Sequence, residues 1–134
     1  MLKRHARVTW LFLILLACSD ATGGENANIS GQWLVTMPVF DGDLVEYSFT
    51  FVQSGAGLVG QLEAGCSRNT FAPNVCTPVL AGTPHSVTGG SVRGDSVFFS
   101  VFSSVYRGVI TSAGMNGKAT HAAYGAVDWT ATRR

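Results

Sequence analysis

With 134 residues the chain has room for one domain and little else, and only 13% of it is charged. Its formal charge of +1 rests on Lys3, Arg4 and Arg7; without them six basic residues face eight acidic ones, a balance of −2. No basic stripe is present, so there is no electrostatic reason to expect a nucleic-acid partner.

The first seven residues hold those three positive charges, and Val8 to Ala17 is apolar apart from Thr9. That order predicts a secretion signal over residues 1–17. A permanent membrane span needs roughly 20 apolar residues, about twice this run, before Ser19 and Asp20 interrupt it. Leu15-Leu16-Ala17-Cys18 resembles the lipobox of bacterial lipoproteins, in which a small residue precedes a Cys that is diacylated on sulfur before the signal is cut off. The resemblance implies lipidation at Cys18, a membrane partner held through that lipid, and, with Ser19 following, an envelope location at the outer membrane. An ordinary signal peptide cut near Ala17, leaving a free Cys18, is the alternative. Residues 18–28 show no apolar periodicity and are expected to form a flexible tether.

The domain is expected over residues 29–134, where aromatic and β-branched residues cluster in short runs separated by Gly, Ser, Asn and Asp. Gly31 to Met37 is the first run, closed by Pro38, and Asp41-Gly42-Asp43 supplies a turn. Leu44 to Gln53 alternates best: Val45, Tyr47, Phe49 and Phe51 share one face, Glu46, Ser48 and Thr50 the other. Leu58 to Glu63 follows the turn Ser54 to Gly57, predicting a hairpin. A weaker run lies around Thr77 to Ala81, then come Ser86 to Arg93, Ser96 to Phe102, Tyr106 to Thr111, Met115 to Ala122 and Ala126 to Thr132. About eight short strands with short connections predict an all-β, antiparallel, up-and-down barrel, since closure removes the unpaired edges of an open sheet. Gly89-Gly90 and Gly108 fit bulges or sharp bends. A β-sandwich is the alternative fold.

Cys66 and Cys76 fall in a segment with little regular pattern, CSRNTFAPNVC. In an exported chain they are expected to form a disulfide, stapling a rim loop with Phe71 at its tip. Lipidation of Cys18 would account for the odd third cysteine.

Gly31-Gln32-Trp33 at the start of the first strand resembles the Gly-x-Trp signature of the calycins, the group that includes lipocalins, fatty-acid-binding proteins and avidins. The resemblance implies an eight-stranded lipocalin-like barrel whose Trp closes one end beneath a basic residue from the last strand, a part that falls to Arg133. Gly31, Trp33 and Arg133 are therefore the expected barrel-end signature. Gly31-Gln32-Trp33-Leu34 is also similar to the first strand of small periplasmic inhibitors of metalloproteases, which are barrels with one disulfide. Their first Cys, however, follows the Trp far more closely than Cys66 does here.

Catalytic chemistry is poorly represented. His85 and His121 are the imidazoles beyond the signal, and the acids form no hydrolytic dyad. Asp41-Gly42-Asp43 lacks the further oxygens of a calcium loop, and no metal or cofactor is expected. The chain is read as a non-enzymatic, lipid-anchored envelope protein whose barrel binds a small apolar ligand, with Tyr47, Phe49, Phe51, Phe99 and His121 as candidate lining. The competing reading is a packed barrel that contacts an envelope protein or inhibits a protease.

Overall fold

The computed structural model describes residues 25–39, 42–80, 82, 84–122 and 125–134. The expected signal at 1–17, Cys18 and most of the tether lie outside the described residues, as do Asp41 and Ala123. Nine strands are described: β1 (Gly31–Pro38), β2 (Leu44–Ser54), β3 (Gly57–Asn69), β4 (Ala72–Val79), β5 (His85–Arg93), β6 (Ser96–Val101), β7 (Ser104–Thr111), β8 (Gly114–His121) and β9 (Gly125–Arg133).

All pairings are antiparallel. Eight strands close in the order β1-β2-β3-β5-β6-β7-β8-β9, with β9 returning to β1 through Trp33 opposite Arg133 and Val35 opposite Ala131. The fold is therefore a closed up-and-down barrel, not the sandwich. Inward positions are apolar and outward ones carry residues such as Glu46, Thr50, Lys118 and Asp128, where Lys118 and Asp128 pair at 2.6 Å. That is the reverse of a barrel whose outer face meets lipid. Among the described residues no helix is long and apolar enough to cross a membrane.

The period-two pattern of β2 is realised as read: Val45, Phe49 and Phe51 are buried and Tyr47 packs against the core. Curvature comes where glycine permits it. Register shifts between Thr88 and Ser91 on the β5–β6 pairing, and Gly89 there adopts φ +60°, open to glycine without steric cost.

The segment between the cysteines is a strand ribbon rather than an irregular loop. The first half of β3 pairs with β5; along its second half, which stays paired with β2 from Ser48 opposite Ala64 to Leu44 opposite Arg68, β4 takes the place of β5, Cys66 standing opposite Pro78 and Asn69 opposite Ala72. Apolar alternation is missing because β4 has little core to face: Val79 at its end packs against the core, but most of its residues are exposed, and it pairs with β3 alone among the described strands. Cys66 and Cys76 sulfurs are at disulfide distance, 2.13 Å, across this ribbon. Arg68, beside the turn, ties the ribbon to β2, donating to Glu46 at 2.8 Å, and donates to the Pro73 carbonyl at 3.1 Å. Phe71 at the tip is 94% exposed.

Because most residues of β4 are exposed and it pairs with β3 alone among the described strands, Cys66→Ala/Cys76→Ala should leave the β-sheet circular dichroism and thermal midpoint nearly unchanged while making residues 72–79 a fast site of limited proteolysis. Global unfolding of the double variant would show that the ribbon is integral to the barrel.

Candidate functional site

The barrel has one closed and one open end. At the closed end the segment preceding β1 crosses the barrel. The Gly94 amide donates to Asn26 Oδ1 at 2.8 Å and the Ala27 amide to the Gly94 carbonyl at 3.0 Å. The Ile29 amide donates to Gln53 Oε1 at 2.9 Å, and the Ile29 side chain is wholly buried. Residues 25–28, expected in the tether, thus lie against the barrel.

Trp33 sits beneath this segment. Its Nε1 donates to the Ile29 carbonyl at 2.8 Å, and the Arg133 guanidinium lies 4.7 Å from the ring centroid, within cation–π range. Arg133 also donates to the Ser30 carbonyl at 2.6 Å and the Asn28 carbonyl at 3.0 Å. Gly31, at φ +121°, passes under the guanidinium, and a Cβ there would come within 3.1 Å of it. Gly31, Trp33 and Arg133 are brought together, tying β1, β9 and the amino-terminal segment into one lid.

Above the lid the interior is aromatic. Phe49 and Phe51 stack at 5.4 Å, Phe99 lies over Tyr106 at 4.6 Å and 6°, and Trp129 meets both edge-on at about 6 Å. Phe49, Phe51 and Phe99, candidates from sequence for filling the core or lining a pocket, are buried in the barrel's middle.

The open end holds a cavity of about 860 Å³. Met37, Tyr47, Tyr106, Ala119 and Val127 form its inner wall, while Val39, Leu80, Phe102 and Ala126 stand at the rim. Of the sequence candidates, Tyr47 and His121 line it. His121 Nε2 is 2.8 Å from Ser103 Oγ, and the His85 ring packs on Phe102 at 3.9 Å. The Ser103–His121 contact has the first half of a nucleophile–base geometry. Among the described residues no three of His, Cys, Asp and Glu gather as a metal site.

Phe102, Leu80, Met37, Tyr106 and Ser103 were not singled out by sequence. Phe102 reads as the last residue of a strand, because Val101-Phe102-Ser103-Ser104 contains no glycine to mark the turn. Tyr106 could have been found: it opens the run to Thr111 and faces inward.

Burial holds the Tyr106 phenol protonated well above its usual range, with nearby Tyr47 adding to the effect. Comparison of the chain with protein families, with curated proteins and with solved structures found no match.

Two outcomes follow from this geometry. Trp33→Phe and Arg133→Ala should each destabilise, and a double-mutant cycle by chemical denaturation should give a coupling of about 1 kcal/mol. Trp129 Nε1 is buried with no acceptor among the described residues, so Trp129→Phe should cost less than Trp33→Phe, by roughly the 1 kcal/mol of a hydrogen bond. The second outcome concerns pH. An unfolded tyrosine ionises near pH ~10, whereas folded Tyr106 keeps its proton beyond that. Its contribution is fully present below pH ~10 and declines as pH rises further. Alkaline denaturation midpoints should therefore fall less steeply with pH in Tyr106→Phe than in wild type.

Proposed function

We propose that the protein is a non-enzymatic envelope protein, anchored through a lipid on Cys18, whose barrel takes up a small apolar ligand at its open end. The observation that supports this reading is the apolar cavity itself. It lies at one end of a rigid closed barrel and carries a few convergent polar groups: Tyr47, Ser103, Tyr106 and His121. Concave apolar sites with a small number of placed polar atoms are the usual form of a small-molecule site.

The anchor and the cavity are compatible in space. Asn26 and Ala27, the side of the domain nearest Cys18 in sequence, are held at the closed end, opposite the mouth. The calycin-like reading of the fold is supported by the closed end, where a Gly-x-Trp strand and a late arginine meet as that group's architecture implies.

A second reading is favoured by the ribbon, whose exposed Phe71 and Val75 offer a contact surface to another envelope protein. Protease inhibition by an extended amino-terminal arm is less well supported, because residues 25–28 are already engaged by the barrel.

The anchor is tested by fractionation: Cys18→Ser should move the protein from the membrane to the soluble fraction without altering its circular dichroism, and continued sedimentation with membranes would refute it. For the cavity, native mass spectrometry of protein purified from its envelope should show a retained small molecule. Ala126→Trp, at an exposed rim position, should abolish that adduct while leaving the fold intact.

A further inference from the structure

Leu80 and Phe102 are the two non-glycine residues with positive φ among the described residues, at 56° and 52°. Side chains of L-residues disfavour this region, and bulky ones rarely occupy it. Phe102 occupies the first central position of a two-residue hairpin loop, Val101 pairing with Ser104 across it. Hairpins of that kind favour glycine there.

Nothing in the core compensates for this strain. Leu80 is 38% and Phe102 54% exposed, and neither belongs to the buried cluster. What they share is location: they come from different interstrand links, and both stand at the rim of the same cavity. Strained backbone that persists in a folded protein concentrates at ligand clamps and switches.

We propose that Leu80 and Phe102 form a gate over the open-end cavity, and that the ligand they retain is a compact, uncharged, ring-bearing molecule. The inference rests on the reading of the cavity as a ligand site. The absence of charge follows from the lining, which among the described residues includes no Asp, Glu, Lys or Arg to pair with an ionic group taken out of water. Compactness follows from the floor. Tyr106 stacks on Phe99, and Phe49, Phe51 and Trp129 occupy the space below, so an extended acyl chain finds no tunnel to thread. The rings of Tyr47, Phe102 and Tyr106 supply aromatic faces for a cyclic ligand. Ser103 and His121, in contact at the rim, offer a hydroxyl and an imidazole to a carbonyl or hydroxyl on the ligand's outer side.

The test uses protein expressed from the full chain and N-phenyl-1-naphthylamine, a neutral ring-bearing dye whose fluorescence rises in apolar sites. Wild type should bind it, 2-naphthol should displace it, and hexadecanol should not. Phe102→Gly and Leu80→Gly should each raise the melting temperature by relieving strain, yet weaken dye binding roughly tenfold, the effect of losing one large apolar contact. Phe102→Ala, which keeps the strained backbone but loses the ring, should weaken binding without raising the melting temperature. If dye affinity is unchanged in both glycine variants, or if both melt at lower temperature than wild type, the gate is wrong while the ligand site stands. Displacement by hexadecanol as readily as by naphthol would overturn the ligand class alone. A wild-type protein that binds no dye would remove the ligand-site reading, and the gate with it.

Discussion

Phe99 and Tyr106 lie almost parallel, 4.6 Å apart, with Phe49, Phe51 and Trp129 packed around them edge-on or stacked. This cluster sits midway along the barrel, and the organisation of the molecule depends on where it falls. Below it the inward side chains are large enough to meet across the barrel, so that half is dry and solid. Above it the wall offers Ala119, Gly125 and Ala126, and the space they leave is the cavity. A few side chains of different volume thus convert one uniform cylinder into a filled base and an open cup.

The base is finished by chain ends. Arg133 reaches the carbonyls of Asn28 and Ser30 while covering Trp33, so the last strand and the segment before the first are held by a single guanidinium. Ring closure between β1 and β9 brings together residues a hundred positions apart, and polar contacts at that seam fix the register in which the barrel shuts. An arginine suits this place because one planar group can donate to two carbonyls and lie on an indole at once.

Much of this was legible from the residues. Period-two alternation in β2 and turn residues between runs are enough to read an all-β barrel, and a Gly-x-Trp pattern with a late arginine marks Gly31, Trp33 and Arg133 in the sequence. The features that escaped reading share a physical cause. Alternation reports which side of a strand is dry, so it is silent for β4, which is wet on both sides, and cannot rank inward residues by height along the barrel. Hence Phe49, Phe51 and Phe99 could not be separated from Tyr47 as lining. The β6–β7 turn was invisible for a different reason: Phe102 stands where local propensity calls for glycine, and propensity rules fail where a residue is kept for something other than its backbone preference.

The ribbon carries one more implication. Its outer strand has no neighbour on its far side among the described residues, and an unpaired strand edge is a template on which another chain can add. Pro73 and Pro78 both lie on that strand, each without an amide hydrogen to offer. The proposed lipid anchor would confine the protein to two dimensions, where encounters between copies are frequent and edges easily meet. An edge strand interrupted by two prolines and stiffened by a cystine cross-link is poorly suited to growing a shared sheet, so crowding on a surface would not lead these barrels to polymerise.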